Sequence, residues 1–392
     1  MTTAGSAKLR VVHLSVVHPP NEPRIYEREC RTLAEAGYDV SYLVPGATPG
    51  TDEHGVHLVP LPSRSRVCRW MSSREIIAFL RAHRPHVVHV HDPELLTLFP
   101  VLRTFVPRLV YDMHDYVPEQ VLAKDYIPVS LRPLVARTSA FAQRSLAGMG
   151  SAVVSAFPDM LLSLGPRPAR RMVVPNYPRL SRFEGATPIA ELAADPRLRL
   201  VYIGSLSRTR GCGLMLDVME RLGPDSAVLF LGGSFAARDL EDETRARLAD
   251  GLDDRVHLLG RIPPPELPAY LAAAEVVWMP SLPSVQYSKP SLETKIYEGM
   301  AGGLATLVSN LAGREEFVQR EQCGLAVPPT VDGHVAGVRR LIVERDQVAA
   351  MGERGRQAVR ERYSWESVEG ELVDFYEQMC RGLGDDEARG RG

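Results

Sequence analysis

The chain has 392 residues, too many for one ordinary domain, and two domains of similar size are the natural expectation. It is 45% hydrophobic and 24% charged, with a net charge of −2, which fits a globular protein and argues against bulk nucleic-acid binding. Its five cysteines, Cys30, Cys68, Cys212, Cys323 and Cys380, show neither redox nor metal-ligand spacing, so a reducing cytoplasmic setting is expected.

In chain order, residues 9–17 predict a buried strand and 24–37 a helix with a glycine stop. A strand over 38–45, a helix over 74–85, and strands over 86–92 and 108–115 follow, and strands at 151–157 and 171–176 end this half. Residues 178–198, polar and rich in Pro and Ala, read as a linker. A second alternating series then begins, with strands at 198–206, 226–233, 255–260, 275–280 and 304–310 and helices at 212–223 and 264–274. Further helices are expected over 334–362 and 364–381, and a disordered tail over 385–392. Strands alternating with helices mean parallel, doubly wound sheets, so two such α/β halves facing across a cleft are predicted. No apolar run reaches the length of a membrane span, and the N-terminus lacks a signal-peptide core. The basic stretch 64–84 reads as a solvated face in preference to a membrane-binding one.

Ligands of open α/β sheets sit beyond the carboxyl ends of strands, so the segments after the strands carry the information. A P-loop, a nucleophile elbow and zinc spacing are absent from the sequence, and GCGLML at 211–216 lacks the third glycine of a dinucleotide fingerprint. The chain has only four lysines, and two of them, Lys289 and Lys295, lie in SKPSLETKIYEGMAGGLATLVSN at 288–310. Ser291 can cap a helix here, with Glu293 in its first turn and Leu292, Ile296 and Met300 on its buried face. The N–H groups of such a helix favour a diphosphate. Lys295 and Glu298, one turn apart, either serve that ligand or form an ordinary intrahelical pair.

KIYEGMAGGLATLVSNLAG, at 295–313, resembles the donor-binding signature of family 4 glycosyltransferases of the two-domain GT-B fold. The similarity continues through HPPNEPRIYERECRTLAEAGYDV, VVHVHDPELL, VYDMHDYVPE, VVPN, YIGSLSRTRG, VHLLGRIPPPELPAYLAAAEVVWMPS and CGLAVPP, in the family's order. It implies an acceptor domain over 1–180, a nucleotide-sugar domain over 181–363, and a helix over 364–384 that crosses back to the first. It also implies a retaining, nucleotide-sugar-dependent transferase that needs no metal or other cofactor.

Residue by residue, the resemblance makes Glu298 the ribose ligand, His114 the residue that reaches the transferred sugar, and Arg210 a diphosphate contact. Gly204 matches the glycine of the family's turn, and Ser205 stands where its arginine usually does, with Arg208 and Lys295 placed to compensate. Gly233, Arg261 and Ile262 fall on the donor side, the segment from Gly260 reading the base, and Ser291 and Leu292 offer backbone N–H groups to phosphate. Pro290 replaces the first Glu of the E-x7-E pattern. Arg24, His91, Asp92, Glu94 and Asp115 are the acceptor-side candidates, while His13, His18 and His89 read as packing or surface residues and Glu119 as a cap or a support for His114. The acceptor is expected to be a small secondary metabolite or a glycan in a bacterial pathway. The competing readings are a lipid-linked or polysaccharide acceptor at a membrane, a nucleotide-sugar epimerase, and a non-catalytic nucleotide-sugar binder.

Overall fold

The structure, a computed structural model, describes residues 8–65, 71–114, 117–122, 127–284, 287 and 292–383, with 119, 120 and 122 in backbone only. The chain divides into two compact units: residues up to Asn176 together with those from Val368 onward, and Tyr177–Ser367. The first thus takes in the helix Glu369–Cys380 near the C-terminus. Asp115, Ser291, Lys289, Pro290 and the 385–392 tail lie outside the described residues.

The first unit holds an eight-stranded sheet in the order β3-β4-β2-β1-β5-β6-β7-β8. Its strands are β1 (Arg10–Leu14), β2 (Asp39–Pro45), β3 (Gly50–Thr51), β4 (His57–Leu61), β5 (Val87–Val90), β6 (Arg108–Met113), β7 (Ala152–Ser155) and β8 (Arg170–Val173). All pairings are parallel except β3 with β4. The core is the β-branched and leucine face of these strands, with Val12, Leu14, Val88, Val90 and Tyr111 packed against Phe99 and Leu80. Strand order reverses between β1 and β5, the place where a doubly wound sheet opens for a ligand.

The second unit holds a six-stranded parallel sheet in the order β11-β10-β9-β12-β13-β14. Its strands are β9 (Leu198–Ile203), β10 (Ala227–Gly232), β11 (Val256–Gly260), β12 (Val276–Met279), β13 (Ala305–Ser309) and β14 (Gly324–Val327). Order reverses between β9 and β12, and the segments after those strands contain Gly204–Arg210 and the Lys295 stretch. Among the described residues, no helix is long and apolar enough to cross a membrane.

Several boundaries differ from the sequence expectation for identifiable reasons. The first strand stops at Leu14 rather than at 17, because Ser15 Oγ and Val16 N both bond to Asp92 Oδ2, at 3.0 and 2.6 Å, and draw the chain off the sheet. The helix expected over 24–37 opens as a wide turn at Pro23–Cys30 and continues as Arg31–Glu35. The helix expected over 334–362 is broken at Glu344 (φ −95°, ψ 29°) into Val331–Val343 and Arg345–Ala358. The linker carries a short helix, Ala190–Ala193.

Candidate active site

In the second unit the ends of β9, β10 and β11 meet through glycines. Gly204 N donates to Gly232 O at 2.9 Å, and Gly233 N to Gly260 O at 2.7 Å. Gly204 (φ +153°) and Gly233 (φ +152°) hold a conformation that side chains rarely adopt, and a Cβ on Gly233 would stand 1.7 Å from Gly204 O. This close stacking leaves backbone, not side chain, at the strand ends.

Arg210 follows in the next turn. A Cβ on Gly204 would lie 3.2 Å from Arg210 Nη1, so the guanidinium rests against the bare backbone, hydrogen-bonded to Tyr202. Tyr202 in turn donates to Ser205 O at 2.8 Å. Burial works against the charge of Arg210, but Tyr287, Tyr202 and Glu293 nearby more than offset it, so Arg210 stays a cation. Arg208 is placed differently. It is exposed, and its Nη2 reaches Glu243 at 2.9 Å and Asp239 at 3.3 Å on the helix Arg238–Arg247. Arg261 is exposed, Ser205 is exposed, and Ile262 packs against Gly232.

The helix after β12 begins at Thr294, so Glu293 is its flanking residue and not a member of its first turn. The reason is visible in the side chain: Glu293 Oε1 accepts from Arg314 Nη2 at 2.6 Å and from Ser281 Oγ at 3.0 Å, which holds its backbone extended (φ −70°, ψ 140°). Ile296 and Met300 are fully buried, with Leu292 packed beside them. Gly299 lets this helix settle on β12, since a Cβ there would meet Val277 Cγ1 at 2.5 Å. Glu298 is thereby carried inward to 3% exposure, with Lys295 Nζ 2.6 Å from its Oε2 and the lysine about one-third exposed. Arg314 itself is 1% exposed and stacks over Tyr287 at 4.8 Å. Sequence reading passed over Arg314 and Tyr287; the Gly313–Arg314 step directly after the β13 turn was the available signal.

In the first unit the segments after β1, β5 and β6 converge. His18 Nε2 lies 3.0 Å from His114 Nε2 and 3.5 Å from Asp92 Oδ1. His114 Nδ1 is 3.5 Å from Asp112 Oδ2. These two imidazoles are the partly exposed members, at 24% and 14% of their side chains. Their neighbours are closed off. Asp92 is 2% exposed and spends Oδ2 on Ser15 and Val16, so it makes no side-chain cap for the turn Pro93–Leu98 that follows. His91 is 1% exposed, with Nδ1 3.1 Å from Asp112 Oδ2 and Nε2 2.9 Å from His13 Nδ1. Glu94 is exposed on the outer side of that turn.

Arg24 requires a correction of role. The expectation was an acceptor contact, but Arg24 is 4% exposed and its donors are spent inside the unit. Nε and Nη2 reach the two oxygens of Asp112, and Nη1 donates to Val174 O at 2.7 Å and Asn176 Oδ1 at 2.8 Å. Burial alone would raise the Asp112 carboxyl, but the Arg24 guanidinium, with hydrogen bonds from His114 and His91, holds it well below the usual range. Asp112 is therefore a buried anion that orients both imidazoles. It was not singled out from the sequence, where it reads as one more strand residue.

Residues 24–177 match the glycosyl transferase 4-like domain, and residues 197–344 match the family "Glycosyl transferases group 1". A GDP-mannose-dependent alpha-(1-6)-phosphatidylinositol monomannoside mannosyltransferase of Mycobacterium tuberculosis is 33% identical over 177 residues, 44% of this chain and 43% of that protein. The match thus spans less than half the length of that relative. An alpha-maltose-1-phosphate synthase of the same species is 23% identical over 334 residues, 79% of this chain and 83% of its own length. The solved sucrose-phosphate synthase of Thermosynechococcus elongatus shares the fold, with a TM-score of 0.74 over 95% of this chain and 99% of that one at 20% identity.

Proposed function

The chain belongs to the two-domain glycosyltransferases of family 4, and from that premise we propose that it moves a sugar from a nucleoside-diphosphate sugar to an acceptor hydroxyl with retention of configuration. The observation that carries the reading is the pair Lys295–Glu298: a carboxylate at 3% exposure, placed by the switch-point helix, with a partly exposed ammonium 2.6 Å away. A buried carboxylate accepts two hydrogen bonds from a ribose diol, and the ammonium beside it meets the diphosphate.

The leaving group is the nucleoside diphosphate, so catalysis is a matter of meeting the charge that develops on its phosphates. Arg210 and Lys295 supply cations, and the helix starting at Thr294 supplies free N–H groups. Arg208, turned to Asp239 and Glu243, is left out of this set. The departing phosphate takes the acceptor proton as the new glycosidic bond forms on the face the diphosphate leaves. We assign the donor to the second unit. His18 and His114 of the first unit, the accessible members of their group, are assigned to sugar hydroxyls. The acceptor is a hydroxylated small molecule or a glycan.

Thermal unfolding with UDP, GDP, ADP and NAD, on the wild type and Glu298→Ala, tests the reading. One nucleoside diphosphate at 100 times its Kd stabilises the wild type by about 2.7 kcal/mol, and the variant loses most of that gain. Stabilisation by NAD alone, or by no nucleotide, overturns it.

A further inference from the structure

The first unit contains a polar group that sugar transfer does not use. His13, Glu29, His89 and His91 are each at most 1% exposed and converge at the switch point. Parallel pairing sets His13 of β1 beside His89 of β5, and His91 lies two residues on, on the same face of the chain. Glu29 is delivered onto that face by the wide helical turn Pro23–Cys30.

Glu29 Oε2 lies 3.9 Å from His13 Nδ1, 3.7 Å from His89 Nδ1 and 4.0 Å from His91 Nε2. Among the described residues, neither Glu29 oxygen has a hydrogen-bond partner, and neither does Nε2 of His13 or His89. Arg24 Nε approaches Oε1 to 3.4 Å but is committed to Asp112. A carboxylate removed from both water and hydrogen bonds is strongly disfavoured, and buried charges are normally paired or bind metal. Protonating Glu29 removes the charge but leaves its buried O–H without an imidazole acceptor, since the nitrogens stand 3.7–4.0 Å from Oε2.

The same distances suit atoms that share a cation. Bonds of about 2.0–2.2 Å to a tetrahedral ion place its ligands about 3.3–3.6 Å apart. The measured separations, 2.9 Å for His13–His91 and 3.7–4.0 Å to Glu29, bracket that edge. We propose that His13, His91 and Glu29, with His89 as fourth ligand, bind a divalent transition-metal ion of the zinc class.

Imidazole and carboxylate together suit such an ion, and four protein ligands leave no position for substrate, which makes the site structural. A support shell is already in place. Asp112 accepts from His91 Nδ1–H, which fixes the tautomer that turns the Nε2 lone pair toward the group, and Arg24 fixes Asp112. His89 is the least committed ligand, because the Tyr376 hydroxyl lies 2.6 Å from its Nδ1. On metal binding the proton of His13 Nδ1, now directed at His91, moves to the unpartnered Nε2. The neighbouring set His91, Asp112 and His114 is not a second site, since Asp112 is held by Arg24.

The test uses the full chain without a polyhistidine tag. Inductively coupled plasma mass spectrometry after desalting from zinc-containing buffer is expected to find one zinc per chain. Dipicolinate should lower Tm and added zinc restore it, and cobalt should give the intense visible d–d bands of a tetrahedral site. Glu29→Gln, nearly isosteric, should weaken zinc binding by at least about 10–100-fold, the amount that even outer partners contribute. Near-UV circular dichroism shows whether that variant folds, and His13→Asn is the second variant. A metal-free chain whose Tm ignores chelator, zinc and cobalt overturns the proposal. So does zinc binding that survives Glu29→Gln unchanged.

Discussion

Arg24 lays both arms of its guanidinium on Asp112, with Nε 2.7 Å from Oδ2 and Nη2 2.8 Å from Oδ1, at 4% and 0% exposure. Breaking a buried pair strands the remaining charge, which costs about 3–5 kcal/mol. Arg24→Ala is expected to lose that much stability in urea unfolding at pH 7. Arg24→Lys should recover only part, because an ammonium cannot reproduce the fork. A variant as stable as the wild type, changed only in acceptor KM, would return Arg24 to the acceptor site.

Lys295 links binding to stability. Its ammonium is 2.6 Å from Glu298 Oε2 and one-third exposed, whereas the carboxylate is buried. Lys295→Ala therefore strands a buried carboxylate and is expected to lower the urea midpoint. As a phosphate contact Lys295 contributes to binding as well, so the same variant is expected to raise the Kd for the preferred nucleoside diphosphate at least about tenfold, or roughly 1.4 kcal/mol. Calorimetric titration of both proteins decides this. An unchanged Kd reduces the pair to a structural contact.

Alternation of strand and helix was enough to read the centre of both sheets, because a parallel strand buried on both faces is a continuous apolar run, but β3, β4 and β14, which are short and at most partly buried, carry no such run and were not read. The Lys295 stretch was legible for a similar reason: its apolar spacing, its glycines and its rare lysines all fall within a few residues. Other features depended on contacts distant in sequence. Arg24 reads as a free cation until Asp112, 88 residues on, takes both its arms. Arg208 reads as a phosphate ligand until the helix carrying Asp239 and Glu243 folds beside it. The group around Glu29 brings together positions 13, 29, 89 and 91, and only the β1–β5 pairing makes it a cluster. The spacing of His89 and His91 on one strand was the single local hint, and it fits packing equally well.

Gly233 and Gly213 should respond to alanine with opposite signs. At Gly233, φ is +152° and a Cβ would fall 1.7 Å from Gly204 O, so the ends of β9 and β10 must part. Overpacking of this kind costs about 1–3 kcal/mol, with backbone strain in addition. Gly233→Ala is expected to lose at least that and to weaken nucleotide binding. At Gly213, in the helix Cys212–Arg221, no atom of the described residues lies within 4 Å of a Cβ, and alanine should stabilise by about 0.5–1 kcal/mol. Equal effects at the two positions in denaturant titrations would contradict the close backbone stacking.

His334 makes the second unit sensitive to acid. Its imidazole has no exposure; Trp278 Nε1–H donates to Nδ1 at 3.0 Å, so the neutral ring carries its proton on Nε2 and donates to Ser309 Oγ at 3.1 Å. Burial lowers the ring from 6.5 to about 4. The unfolded chain therefore takes up the proton first, and stability is complete above about pH 6.5, falls below it, and levels off near pH 4. The full loss is on the order of 3 kcal/mol. Gln at this position keeps an acceptor and a donor but does not titrate. Urea midpoints followed by fluorescence of Trp278 and Trp365, both in this unit, should fall less steeply for His334→Gln than for the wild type between about pH 7 and 4. Parallel pH profiles would show that His334 is not the titrating group and that the acid sensitivity resides elsewhere.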